Sequence, residues 1–410
     1  MLLRHPWAAL GLALIAIGLV WSPGALVGLG VFVLLAGVLV RAWGERSLDG
    51  VELERLLPES RAFPGEALRL TYRVTNRKLM PLPWLEVRDL LPDALTPPAL
   101  DLAPGGGAGT VSYRRSTHLR WHERVSWSLD LSCSERGYYR LGPARLRSGD
   151  GFGLVTKERA AAAVSVVVVY PRTVPLVDLG LPAARPLGDR RGRERIFEDP
   201  LRAAGVRDYH PGDPLRRIDW KATARRGELQ SRVYEPSTAQ HLTVALNVDT
   251  LERSWQGYVP ELLEASIVVA ASVARWAFDA RYAVGLLANG AVPDSDRPLR
   301  IAPGRAPDQL SRVLEALGTI GPMTLTALAA QLEDESRALP LGSTLAVITA
   351  QMPEELAAVL RRLDASGQRV VVLAMAGDDW SELLGAVPVR RVDWGAFESG
   401  EQAAPVGRAS

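Results

Sequence analysis

The chain has 410 residues, 47% hydrophobic and 23% charged, which is enough for two soluble domains of ordinary size plus a smaller element. Lys and Arg total 48 against 46 Asp and Glu, a formal charge of +2, so no global field calls for nucleic acid. The single cysteine, Cys133, excludes an internal disulfide and a cysteine-rich metal site, and five histidines make a histidine-built metal centre hard to assemble. A lone cysteine fits a reducing compartment.

Residues 6–40 carry no charged side chain. As helix, such a run spans roughly 50 Å at about 1.5 Å per residue, too long for one ordinary crossing. "WSPG" at 21–24 breaks it with Pro23 and Gly24, leaving two legs, 6–21 and 25–40, of about 16 residues each. The legs are slightly short for a hydrocarbon core of roughly 30 Å. A cleaved signal peptide is the rival, but it predicts a polar start after the break, and a second apolar leg follows instead. The expectation is a membrane anchor over 1–46, a helical hairpin in the bilayer. Arg4 precedes the first leg, Arg41 and Arg46 follow the second, and the turn is uncharged. The positive-inside rule then places the protein in the cell membrane with two spans and its soluble domains in the cytoplasm.

Residues 51–172 read as strands. "ALRLTYRV" (67–74), "WLEVRDLL" (84–91), "RVSWSLDLS" (124–132) and "AVSVVVVYP" (163–171) follow one another between Pro- and Gly-rich stretches. Apolar-polar alternation without helical periods predicts a small antiparallel β-sandwich. "APGGGAGT" (103–110) lacks the Gly-Lys-Ser/Thr ending of a phosphate loop and reads as a hairpin connection. His118 and His122, read as one strand, would share a face roughly 13 Å apart, too far for a common metal.

Residues 173–206 are polar, Arg-rich and punctuated by Pro and Gly, the composition of an exposed linker. From 207 to 397 the pattern alternates. Strands are expected at 229–236, 241–249, 282–290, 343–350, 369–377 and 388–394, with helices at 261–281, 307–317, 324–338 and 353–366. That is the signature of a doubly wound α/β sheet. Residues 398–410 read as a disordered tail.

"GDPLRRIDWKATARRG" (212–227) reads as one helix, with Asp213 as N-cap, Pro214 in the first turn and Gly227 as the left-handed stop. On a helical wheel Leu215, Ile218 and Ala222 form a narrow apolar stripe, and Trp220 lies off it beside Arg216 and Ala224. Trp220 then either fills a seam between domains or docks a partner, since Trp and Arg are favoured at interface hot spots. Nucleic acid is disfavoured, because acids interrupt the basic residues and stacking aromatics are scarce.

In a doubly wound sheet, ligands bind beyond the carboxyl ends of the strands. The first such strand ends in Asp249-Thr-Leu251-Glu-Arg253. This resembles the von Willebrand factor A fold, whose Asp-x-Ser-x-Ser stretch ligates Mg²⁺, but a leucine and an arginine replace the two hydroxyls. "MTLTAL" (323–328) could supply a threonine, whereas the strand that should end in a second Asp ends in Thr349-Ala350. A hard cation needs several oxygen ligands, so the site near Asp249 reads as degenerate, with no metal and no cofactor. Neither a Gly-x-Ser-x-Gly elbow, a zinc-protease histidine pair nor a dinucleotide glycine fingerprint is present. No catalytic residue can be named.

"RDYHPGDPLRRIDWKATARRGELQSRVYEP" (207–236) resembles the signature of the domain of unknown function 58 family. In that family an Arg-x-Tyr-x-x-Gly-Asp segment leads into Arg-x-Ile-x-Trp-Lys-x-x-Ala-Arg. The matching residues are Arg207, Tyr209, Gly212, Asp213, Arg216, Ile218, Trp220, Lys221, Ala224 and Arg225. A second match is "RGYYRLGPARLRSGDGFGL" (136–154). The resemblance implies a von Willebrand factor A-like C-terminal fold, which together with the transmembrane hairpin and the β-sandwich read above makes a multi-domain protein. It also implies pairing with MoxR-type AAA+ ATPases, which are cytosolic. The expected function is a membrane-anchored scaffold that binds such a partner during assembly or maintenance of envelope or metal-dependent proteins. Arg207, Tyr209, Asp213, Arg216, Ile218, Trp220, Lys221 and Arg225 are the docking candidates. The alternatives are an enzyme acting on envelope precursors, and an anion or nucleic-acid sensor built on the arginines of 202–232.

Overall fold

The computed structural model describes all residues except 1–5, 22–23, 98–101, 163, 183–196, 211–217, 238–239, 254–255, 341, 378 and 395–410. The chain divides into two units, Met1–Tyr170 and Pro171–Ser410. The expected tail, 398–410, lies outside the described residues.

The first unit opens with α1 (Pro6–Trp21) and α2 (Gly24–Glu45). They pack antiparallel: a Cβ at Gly11 would meet Leu34, one at Gly18 would meet Val27, and one at Gly37 would meet the Trp7 ring. Glycines there let the two backbones approach closely. Helix α2 is long and apolar enough to cross a membrane, whereas α1 is a shorter apolar helix. Lys78 and Lys157 donate to the carbonyls of Arg46 (2.7 Å) and Glu45 (2.8 Å), so cations satisfy the chain as it leaves α2.

Eleven strands follow among the described residues: β1 (Val51–Leu56), β2 (Arg61–Ala62), β3 (Glu66–Asn76), β4 (Leu82–Pro92), β5 (Ala103–Pro104) and β6 (Thr110–Leu119). The series continues with β7 (Arg124–Cys133), β8 (Gly137–Leu141), β9 (Ala144–Gly149), β10 (Thr156–Ala162) and β11 (Ser165–Val169). They form sheets ordered β1-β3-β7, β10-β9-β4-β6-β5 and β2-β11-β8, antiparallel except where β2 meets β11. Alternation along β3 buries Leu68, Leu70, Tyr72 and Val74 and turns Arg69 outward, as a sheet with one wet face requires. Tyr72 stacks between Tyr113 and Trp127 at 5.5 and 5.6 Å. "APGGGAGT" carries the turn from β5 to β6. His118 and His122 do not share a strand: β6 ends at Leu119, and His122 turns the chain with φ 50°.

The second unit begins with a hairpin, β12 (Phe197–Asp208) and β13 (Gln230–Ser237), with α3 (Trp220–Arg226) between them in sequence. The linker expected over 173–206 therefore ends early, because 197–206 already belong to β12. Backbone pairing with β13, interrupted by two register shifts, overrides a polar, proline-containing sequence.

The remaining elements are β14 (His241–Leu246), α4 (Pro260–Asp279), β15 (Ala283–Ala288), β16 (Leu299–Gly304), α5 (Gln309–Thr319) and α6 (Leu328–Glu335). After them come β17 (Thr344–Thr349), α7 (Glu354–Ala365), β18 (Arg369–Ala374), α8 (Ser381–Leu384) and β19 (Val389–Arg391). Strand order is β16-β15-β14-β17-β18-β19, all parallel except the antiparallel edge β16. Leu345, Val347, Val370 and Val372 face Leu328 and Leu332 of α6 and Leu356 and Leu360 of α7. The alternate residues point to the other face, where α4 packs. Continuous apolar strands buried on both sides follow from this layering. The strand order reverses between β14 and β17, which opens a crevice at their carboxyl ends.

Candidate functional site

The crevice at the carboxyl ends of β14, β15 and β17 is built from neutral polar side chains around one carboxylate. Asn247 and Asn289 end adjacent parallel strands and are 4% and 0% exposed. Asn289 accepts from the Val248 backbone N–H (2.8 Å) and donates both to Asn247 Oδ1 (2.8 Å) and to Asp249 Oδ2 (3.1 Å). Asn247 in turn donates to Thr349 Oγ1 at 3.0 Å. Thr324 donates to Asp249 Oδ1 at 2.5 Å. The set is held because each buried amide and hydroxyl finds its partner inside the network.

A cavity of about 240 Å³ opens beside it, lined by Asp249, Leu251, Tyr258, Pro322, Met323 and Thr324 among others. Its wall at 321–325 is stitched to 289–291: Ala291 N–H donates to Met323 O (2.7 Å), Leu325 N–H to Asn289 O (2.9 Å) and Gly321 N–H to Ala291 O (2.8 Å). A Cβ at Gly290 would lie 2.7–2.9 Å from Ile320, Val248 and the Gly321 carbonyl, so the close approach requires glycine.

This donor set does not suit a divalent cation. Asp249 is the one carboxylate among the described lining residues, Leu251 offers no oxygen from its side chain, and Thr349 spends its hydroxyl on Asn247 and on the Gln351 backbone, which leaves too few oxygens for a hard cation. Among the described residues no group of three or more His, Cys, Asp or Glu is placed to hold a metal ion.

The docking candidates form a second surface. The helix expected from Asp213 to Arg226 is shorter than the sequence suggests. Asp213 and Arg216 lie outside the described residues, and Ile218 is extended, pairing with Ser231 in an isolated bridge, and 6% exposed. Asp219 caps α3 instead, its Oδ1 accepting from the backbone N–H of Lys221 and of Ala222, both at 3.0 Å. The Ala222 N–H and the Arg232 guanidinium, which bonds Oδ2 at 2.9 Å, hold the Asp219 carboxyl below its usual range. Gly227 ends the helix at φ 76°, donating to Thr223 O.

With α3 starting at Trp220, the wheel that joined Leu215 and Ile218 to Ala222 no longer applies. Ala222 and Thr223 turn inward, whereas Trp220, Lys221, Ala224 and Arg225 share the exposed side. Trp220 is 68% exposed, so most of its indole is in solvent rather than packed. Arg207 is exposed on β12 and bonds His210 Nδ1 at 2.9 Å, and the Tyr209 N–H donates to Leu229 O (2.9 Å), the residue before β13.

The residue that ties these together is Gln230, 0% exposed and absent from the sequence candidates. It donates through Nε2 to Asp208 (2.7 Å) and through its N–H to Thr223 Oγ1 (3.0 Å), and accepts from Arg226 (3.1 Å) and from the Asp219 N–H (2.8 Å). The glutamine amide, with donors and an acceptor on one stem, meets both charged neighbours, Asp208 and Arg226, at once.

Residues 205–394, which contain both surfaces, match the family model described as protein of unknown function DUF58. The chain carries a DUF58 domain. It is also 26% identical over 224 residues to an uncharacterized protein, YeaD, of Bacillus subtilis (strain 168). That match covers 53% of this chain and 51% of the relative, so the chain spans about half the length of that protein. Among solved structures, a CARDB domain from Pyrococcus furiosus with di-metal ions aligns at 16% identity and TM-score 0.20, over 29% of this chain and 84% of that one. A β-glucosidase from Listeria innocua with isofagomine aligns at 13% identity and TM-score 0.20, over 29% of this chain and 16% of that one. Scores this low carry no argument about fold or function.

Proposed function

We propose that this protein is a membrane-anchored cytoplasmic scaffold whose DUF58 domain docks a protein partner, with a MoxR-type AAA+ ATPase as the partner. The exposed face of α3 carries the reading. An indole that is 68% solvent-exposed sits with Lys221 and Arg225 on a helix with no acid inside it, capped by Asp219 and anchored through Gln230. Trp and Arg presented on a fixed element are the residue types that dominate interface energies.

The anchor in this reading is a two-span hairpin. Helices α1 and α2 pair through glycines, and the basic residues Arg4, Arg41 and Arg46 lie on the cytoplasmic side. The reading also takes the C-terminal sheet as von Willebrand factor A-like, supported by its order and its antiparallel edge strand β16.

Capture of the co-expressed AAA+ ATPase by the detergent-solubilised full chain tests the reading. Trp220→Ala and Arg225→Ala should each lower capture at least tenfold, about 1.4 kcal/mol of binding. Undiminished capture by both variants would exclude this face as the docking surface. A reporter fused after Ser410 should be active only as a cytoplasmic reporter, and periplasmic activity would overturn the topology.

A further inference from the structure

We propose that the pocket at Asp249 receives an arginine side chain presented by a partner protein. The inference stands apart from the α3 docking surface.

Charge is the first argument. Among the described residues lining the cavity Asp249 is the one that is charged, and its hydrogen-bond partners there, Asn289 and Thr324, are neutral. Neutral donors orient the carboxylate without cancelling its charge, so the charge is left for a cation arriving from outside.

Stoichiometry is the second. A carboxylate offers about four acceptor positions, two on each oxygen. Asn289 takes one on Oδ2 and Thr324 one on Oδ1, which leaves one on each oxygen. A guanidinium fork needs one acceptor on each of two oxygens. The same arrangement is poor for a hard cation, which needs a fuller shell of oxygens than Leu251 and Thr349 leave available.

The walls are the third. Tyr258 is 45% exposed and Met323 66% exposed at the rim, with Leu251 and Pro322 in the lining. An aromatic face and apolar surface accommodate the guanidinium plane and its methylene stem. An ammonium is a more strongly hydrated point charge and uses such walls less well. The pocket is also prebuilt: Val259 N–H donates to Thr250 Oγ1 (2.8 Å) beside Tyr258, and three backbone bonds hold 321–325 opposite. A preformed cleft loses little ordering entropy on binding.

The test is saturation-transfer NMR on the full chain in detergent micelles, with Nα-acetyl-arginine N-methylamide as probe. The probe should bind saturably, and its citrulline counterpart, neutral but nearly isosteric, at least tenfold more weakly. Asp249→Asn should weaken the arginine probe at least tenfold and Tyr258→Ala at least threefold. Because Tyr258 sits at the rim, its variant reports on the pocket even if the Asp249 change disturbs folding. Absence of arginine binding, equal binding of the citrulline probe, or indifference to both substitutions would overturn the proposal. So would Mg²⁺ binding that Asp249→Asn abolishes, which would make this a metal site. Displacement of the probe by equimolar spermidine would instead identify a small-amine site and overturn the assignment to a protein partner.

Discussion

Asp89 in the first unit and Asp249 in the second are both carboxylates held by side-chain hydrogen bonds, but their charges are met in opposite ways. Asp89 accepts from Arg55 Nη1 at 3.2 and 3.0 Å on its two oxygens, from Tyr72 Oη at 2.8 Å and from the Leu90 N–H at 3.0 Å. The Arg55 and Asp89 side chains are 2% and 0% exposed. Burial pushes the Asp89 carboxyl upward even though Arg55 and the Tyr72 hydroxyl pull it down, and burial together with Asp89 pushes the Tyr72 phenol far above its ordinary value. Asp249, partly exposed at a pocket wall, has only neutral side-chain partners among the described residues. A carboxylate whose counter-charge is internal is closed off within a core, whereas one held by neutral donors at an opening keeps its charge unmatched by a side chain. Which of the two a carboxylate is depends on its neighbours, not on its own chemistry.

The sharpest way to break this contrast is Asp89→Ala. It leaves Arg55 buried without its partner and should cost about 3–5 kcal/mol in denaturant unfolding of the full chain. Replacing both residues, Arg55→Met with Asp89→Leu, should recover most of that loss, since a buried pair often contributes little over apolar residues of similar volume. A loss below about 1 kcal/mol for the single change would mean that the pair is not closed inside the core.

Gly290→Ala probes the other side. The added Cβ meets Val248, Ile320 and the Gly321 carbonyl, an overpacking that should cost about 1–3 kcal/mol. Arginine-probe binding should weaken in step. Full stability with full binding would show that the wall at 321–325 can move.

Trp220→Ala should move stability by no more than about 0.5 kcal/mol, because a 68%-exposed indole has little packing to lose. A loss near 3 kcal/mol would return Trp220 to a packed role.

Two smaller effects complete the contrast. Calorimetric titration of the full chain with Mg²⁺ or Mn²⁺ should give no specific heat, and micromolar binding lost in Asp249→Ala would refute the metal-free reading. The cap at Asp219 has a folded pKa depressed by the Ala222 N–H and Arg232. Its stabilisation is therefore complete above the unfolded carboxylate value, about 3.9, and is lost as pH falls through the lower folded value. Partner capture should accordingly be flat from about pH 5 to 8 with respect to this group. A decline within that window would mean that a group other than the cap controls docking.

What sequence alone determined is what local periodicity encodes. The apolar run of 6–40, the alternation of 67–74 and the continuous aliphatic strand at 241–249 each dictate an element, because hydrophobic spacing is read one or two turns at a time. Gly227 likewise announced a helix end. Tertiary structure decided the rest. The pairing of Ile218 with Ser231 makes Asp219 the cap of α3 by holding the preceding residue extended, and nothing local in the sequence announces that pairing. The polar segment 197–206 becomes a strand only because β13 lies beside it. Asn247, Asn289 and Thr324 carry signals faint in sequence, an asparagine closing a buried strand or a threonine after a Gly-Pro turn. They become a site only where the strand order reverses and brings residues 40 and 75 positions from Asp249 within hydrogen-bond reach of its carboxylate. Hydrogen-bond geometry between distant residues has no period in the chain, so it belongs to the fold.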